Sequence, residues 1–254
     1  MEYQGTIVRP EESVRAFFNR VYGWMAGGLA LTAAIAWFVG SSQAMQQLIF
    51  GNAFVLILLM IAEIGLVIGL SRAIGRMSPQ TAGLLFLTYA AVNGLTLSSI
   101  FMVYTNADIA MAFVASAGMF LAMSLIGSAT HMDLSRIGNI ALFGLFAIIG
   151  MSLINLFLKS SGFDFLISII GIVVFLGLTA WDTQKLRNLA LNLDPTGDNP
   201  ITMAGEDHPS DWGKVLGGNP TAEKVAVIGA LSLYLDLINL FLFVLRFFGG
   251  RRRD

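Results

Sequence analysis

The sequence predicts an all-α polytopic membrane protein, a seven-transmembrane helix bundle, on three observations. Of the 254 residues, 56% are hydrophobic and only 12% are charged, about half the charged share of a soluble domain. Mean hydropathy is +0.75. Seven apolar runs lie at roughly 21–40, 53–71, 81–104, 109–128, 138–158, 164–187 and 222–248. At ~1.5 Å per residue, each is long enough to cross a hydrocarbon core of about 30 Å.

Taken in order, residues 1–20 are polar and mixed in charge, with Glu2, Arg9, Glu11, Glu12, Arg15 and Arg20. The first apolar run comes late and is as long as a full span, unlike the short core of a cleavable signal peptide. Residues 1–20 therefore read as a cytoplasmic N-terminal segment before an uncleaved first helix, with the membrane domain over 21–250 and a basic tail at 251–254. The connections among the first six runs are short, which favours antiparallel neighbours. Gly23/Gly27 and Gly65/Gly69 are small-xxx-small pairs and are expected to serve helix packing.

Orientation follows the flanking cations. With the N-terminus inside, the inner segments hold Arg9, Arg15, Arg20, Arg72, Arg76, Arg136, Lys185, Arg187, Lys214 and Lys224, whereas 41–52 and 105–108 hold none. Lys159 and the terminal Arg246 and Arg251–Arg253 dissent. Seven crossings with the N-terminus in the cytoplasm is the expected topology. The long connection, about 188–221, contains Asp194, Asp198, Glu206, Asp207, His208 and Asp211. It lacks the alternating ligands, central glycine and closing glutamate of an EF-hand loop, so a solvated loop is expected.

A net charge of −1 gives no bulk field for nucleic acid or an acidic substrate. The absence of cysteine excludes disulfides, thiolate metal sites and a cysteine nucleophile. His131 and His208 are far apart in sequence, which disfavours a multi-histidine metal site. Asn93 and Asn155 read as amides making interhelical hydrogen bonds.

The functional signal is charge at membrane depth. Asp236 lies mid-way along Ala230–Gly249, where Ser232, Asp236, Asn239 and Arg246 fall within roughly 80° of one another on a helix. An acid there costs about 2.5–3.5 kcal/mol to insert, so it is expected to face protein or water, either as a structural acid hydrogen-bonded to Ser232 and neighbouring helices or, the favoured reading, as a site on an ion or proton path. Asp182, at the inner end of the sixth run, is by itself an i,i+3 partner of Lys185. If it meets Asp236, the two carboxylates do not both ionise easily and titrate together. Glu63 is a third acid within a run, and Arg72 and Arg76 flank the inner end of its helix either as positive-inside anchors or as a basic latch.

Three stretches carry a family resemblance: Gly94-Leu-Thr-Leu-Ser-Ser-Ile100, Trp181-Asp182-Thr183, and Ala230-Leu-Ser-Leu-Tyr-Leu-Asp236-Leu-Ile-Asn239-Leu-Phe241 with Arg246-Phe-Phe248-Gly249. With seven spans in the same order, the chain resembles the transmembrane Bax inhibitor motif (Bax inhibitor-1) family over nearly its whole length, and most of all bacterial inner-membrane members. That resemblance implies a bundle whose last helix is central, and a calcium leak gated by a pH-sensing pair matching Asp182 and Asp236. It also implies an ion-path acid matching Glu63 and a latch arginine. Spacing counted from Glu63 favours Arg72 as the latch, whereas counting back from Gly94 favours Arg76.

The expectation is a passive, pH-sensitive cation channel with calcium as the transported ion and no cofactor. Carboxylate oxygens of Asp182, Asp236 and Glu63 suit transient Ca²⁺, and Ser232, Asn239 and Arg246 form the supporting polar stripe. The alternative is a non-conducting modulator of a membrane protease or other membrane partner, acting through the long loop or N-terminus. An intramembrane aspartyl protease is disfavoured: Tyr234-Leu-Asp236 has one residue too many for a Tyr-Asp helix, and Thr179-Ala-Trp-Asp182 lacks glycine. No P-loop, zinc motif or serine elbow is present either, so the chain is not expected to be an enzyme.

Overall fold

The apolar runs become helices because a backbone in lipid must satisfy its own hydrogen bonds. The computed structural model describes residues 10–73, 77–191 and 222–250. Among these, the helices are α1 (Pro10–Gly40), α2 (Gln43–Phe50), α3 (Ala53–Ala73), α4 (Pro79–Leu97), α5 (Ile100–Val103), α6 (Asn106–Ala129), α7 (Ser135–Leu158), α8 (Ser161–Leu191) and α9 (Ala222–Gly250). Seven stretches are long and apolar enough to span a membrane, one for each predicted run. Most of Asn188–Thr221, Arg76, His208 and the terminal segments fall outside the described residues.

Three features differ from expectation. α1 begins at Pro10, well before the first apolar run; proline's fixed φ suits the first helical position, and the polar turns that follow need no lipid. The connection after α1 holds the short helix α2, whose cap Ser42 accepts a hydrogen bond from the Met45 amide at 3.5 Å. The third span is interrupted at Ser98–Ser99, between α4 and α5, where Phe101 and Met102 donate to the carbonyls of Ser98 and Ser99 three residues back.

The chain divides into two compact units. The first comprises 1–97 and 186–231. Its main seam joins α1 to α4: Trp24 lies against Gly83, Phe86 against Gly28, and Ile35 against Gly94. Thr32 Oγ1 donates to the Ala90 carbonyl at 2.8 Å. Residue numbers rise together on both sides, so the helices are parallel, as two odd-numbered spans must be. Gly94 brings the backbones together, since a Cβ there would stand 2.8 Å from the Thr32 carbonyl oxygen. The predicted packing glycines behave differently: around Gly23, Gly27, Gly65 and Gly69 a Cβ meets nothing within 4 Å. Small-xxx-small spacing recurs by chance in a chain with 27 glycines, and here it marks open surface.

The second unit comprises 98–185 and 232–254. α7 and α8 run antiparallel, with Gly138 under the Trp181 ring and Gly144 against Val174. α8 and α9 are antiparallel too, through Gly171 and Phe175 against Phe243 and the stacked Phe165–Phe247 pair. Asn155 departs from its predicted interhelical role. Its Oδ1 accepts the Ser160 amide at 3.1 Å, in the turn that Lys159 makes with a left-handed φ of 50°.

Burial is uneven among the spans. The most apolar window of the last span is 72% buried, against 6% for the second span. The second span instead exposes Phe54, Ile57, Leu58, Ile61 and Ile64, as suits a helix solvated by lipid.

Candidate functional site

The acids that drew attention in the sequence are polar exceptions within apolar helices, and the second unit brings two of them together. Asp182 comes from α8 and Asp236 from α9. The Ser232 hydroxyl, one turn before Asp236, donates to Asp182 Oδ2 at 2.5 Å. Asp236 is 5% exposed, Asp182 acts on it electrostatically, and no described residue hydrogen-bonds its Oδ2. Lys185, one turn beyond Asp182, acts on that carboxylate in turn, with its ammonium 4.1 Å from the centre of the Trp181 ring.

Polar contacts fix the part of α8 that carries Asp182. Ser124 on α6 and Thr183 share a hydrogen bond of 3.1 Å, while Thr183 also donates to its own helix at the Thr179 carbonyl. Gln184 holds the turn between α6 and α7, accepting from the Leu134 amide at 2.9 Å and donating to the Met132 carbonyl at 2.7 Å. Gly127 is in backbone contact with Ala180. Every one of these residues is within three positions of Asp182 or contacts one that is. Ser124, Gln184 and Gly127 were not singled out in the sequence, because a serine, a glutamine and a glycine in helices carry no signal until the packing is known.

The predicted polar stripe of α9 separates into three different contacts. Ser232 reaches Asp182, as above. Asn239 instead turns back on its own helix, donating to the Leu235 carbonyl at 2.8 Å. Arg246 forms an ion pair of 3.8 Å with Asp164 in the first turn of α8, at the opposite end from Asp182, both side chains about half exposed. The same angular face thus serves one candidate site, one intrahelical bond and one surface anchor.

The remaining predicted residues lie elsewhere. Glu63, on α3 in the first unit, is half-buried; the Thr96 side chain faces it, and its Oε1 has no hydrogen-bond partner among the described residues. Arg72 is exposed in the last turn of α3 and makes no ion pair among the described residues. His131 is exposed. Among the described residues, no three His, Asp or Glu side chains gather as a metal-holding group. Of the three acids named for calcium, only Asp182 and Asp236 share a unit.

A family model described as "Inhibitor of apoptosis-promoting Bax1" matches residues 14–253. The chain is 44% identical over 247 residues to "Inner membrane protein YbhL" of Escherichia coli K12, covering 97% of each. An uncharacterized protein of Borreliella burgdorferi is 40% identical over 238 residues, covering 94% of this chain and 93% of that one. An uncharacterized protein of Deinococcus radiodurans is 40% identical over 243 residues, covering 96% and 93%.

Proposed function

The chain belongs to the Bax inhibitor family, and from that premise we propose that it is a pH-sensitive cation leak channel, with calcium as the transported ion and the Asp182–Asp236 pair as its proton sensor. A bacterial inner-membrane location is part of the reading. It is supported by the inner-membrane name of the Escherichia coli relative and by seven apolar helices. The distribution of Lys and Arg supports a cytoplasmic N-terminus.

One observation carries the proposal: a buried carboxylate with an unpartnered oxygen lies one helical turn from Ser232, whose hydroxyl bonds a second carboxylate. Burying an ionisable group without full hydrogen bonding is costly, and a membrane protein that keeps one keeps it for a task. Interacting carboxylates titrate as a pair, with the first proton lost more readily than the second. Ionised, they present hard oxygen ligands to a passing divalent cation.

Ser232 supplies the link between proton uptake and structure. A carboxylate can only accept, so the hydroxyl donates to ionised Asp182. A protonated Asp182 can donate instead, and the hydroxyl then accepts. Proton uptake thereby reverses the polarity of the bond joining α8 to α9, and the reading places the gating step there.

The test is calcium flux into liposomes between about pH 6 and pH 8. Asp182→Asn and Asp236→Asn keep the side-chain shape and remove the titration, so each is expected to abolish the pH response. Wild-type flux with a wild-type pH response in both variants would overturn the reading.

A further inference from the structure

The glycines that pack against nothing line a cavity. Gly23, Gly27 and Trp24 of α1, Leu87 of α4, and the charged residues Arg20 and Glu223 border a wide-open groove of about 700 Å³. All six residues belong to the first unit. Trp24 packs over Gly83 and makes an edge-to-face contact with Phe86, ring centres 6.5 Å apart. Over the two glycines the space is open.

Every lining helix is an odd-numbered span, entering the membrane from the same side, and the lining residues fall within the first half of each span. The first span, Val14–Gly40, has 27 residues, about 40 Å against a hydrocarbon core of about 30 Å. Its first turns therefore stand in the headgroup layer. Arg20 comes about 9 Å along it and Gly27 about 20 Å. Glu223 is in the first turn of α9. The groove runs from two charges at headgroup level down to an apolar slot beside two bare glycines. Trp24 lies between the charges and the slot.

We propose that this groove binds a phospholipid with a phosphoethanolamine headgroup. The Arg20 guanidinium takes the phosphate, Glu223 takes the ammonium, and one acyl chain lies along Gly23 and Gly27. Charge complementarity selects this occupant. Among the described residues the rim offers one cation and one anion, and the one ion pair among those residues lies elsewhere. A zwitterion satisfies both, whereas a purely anionic headgroup leaves Glu223 opposed. A primary ammonium also carries N–H donors for the carboxylate, which a trimethylated headgroup lacks, and a guanidinium matches phosphate with two parallel bonds.

The experiment is native mass spectrometry of the full chain, delipidated in mild detergent. The protein is titrated with phosphatidylethanolamine, phosphatidylcholine and phosphatidylglycerol of identical acyl chains. Phosphatidylethanolamine should bind most tightly, and Arg20→Gln and Glu223→Gln should each weaken it about tenfold or more, the loss of a charge-assisted bond. Gly27→Leu should remove the bound lipid while helical content and melting temperature are kept, because its side chain enters open space. Equal binding of the ethanolamine and choline lipids overturns the proposal. So does preferred phosphatidylglycerol binding sensitive to Arg20→Gln alone, or lipid retention by a folded Gly27→Leu protein. Dimerisation of the wild-type chain that Gly27→Leu abolishes, without bound lipid, assigns the groove to a second copy and equally overturns it.

Discussion

Gly127→Ala, measured beside Gly118→Ala, tests whether the helix bearing Asp182 is set by a backbone contact. Both glycines are in α6, and a methyl group at either raises helix propensity by ~1 kcal/mol. At Gly118 the added Cβ meets nothing within 4 Å, so the variant should keep that gain. At Gly127 it would overlap the Ala180 carbonyl oxygen and stand 2.9 Å from the Ala180 Cα. Overpacking costs about 1–3 kcal/mol, and a backbone obstacle cannot rotate aside, which puts this site at the upper end. The net loss is then ~2 kcal/mol at Gly127 against a gain of ~1 kcal/mol at Gly118. At about 2–4 °C per kcal/mol, the two melting temperatures in detergent should differ by roughly 6–12 °C. Ala180 precedes Asp182 by two residues, so Gly127→Ala should also alter the pH response of calcium flux in liposomes, and Gly118→Ala should leave it as in the wild type. A Gly127→Ala protein as stable as Gly118→Ala would refute the reasoning, since α6 and α8 would then have room to spare.

Two further outcomes follow from the same region and its far end. Gln184→Leu strands the buried Leu134 amide, a loss of about 1–3 kcal/mol; hydrogen exchange at that amide should quicken about tenfold or more, and an unchanged rate would mean the turn has another donor–acceptor arrangement. Arg246→Gln removes a half-exposed ion pair of 3.8 Å, for which less than ~1 kcal/mol is expected. Its melting temperature should stay within about 3 °C of the wild type at low salt, and a larger fall would show that the pair holds α8 to α9.

The spans were legible because lipid imposes one demand, apolar length, on every helix that crosses it, and Ala53–Arg72 meets it even with Glu63 in its middle. Where that demand lapses, legibility lapses too. The polar first turns of α1 and the eight residues of α2 are helical for reasons of capping and local propensity, which a hydropathy reading does not weigh. Asp182 and Asp236 could be named in advance because charge in an apolar run is conspicuous, and Ser232 because it shares the helical face of Asp236. The stripe containing them suggested one shared site, since helical periodicity gives an angle and no partner. Asn239 and Arg246 show the difference: the first bonds its own backbone and the second an acid at the other end of α8. The packing glycines failed for the same reason. Spacing marks which glycines could admit a neighbour, whereas Gly94 and Gly127 are tight because a specific backbone arrives there.

The burial of the last span also has a consequence in time. α9 follows every other described helix in the chain, yet it holds many of the fully buried side chains, Tyr234, Leu233, Leu240 and Leu245 among them. During synthesis the earlier spans must wait in the bilayer with that surface still facing lipid. The delay suits Asp236, whose entry into bare hydrocarbon would cost about 2.5–3.5 kcal/mol and which instead arrives where Asp182 is already in place. A ribosome stalled before α9 would leave six apolar helices inserted and the acceptor for Ser232 exposed, a species that quality-control proteases could tell from the finished protein.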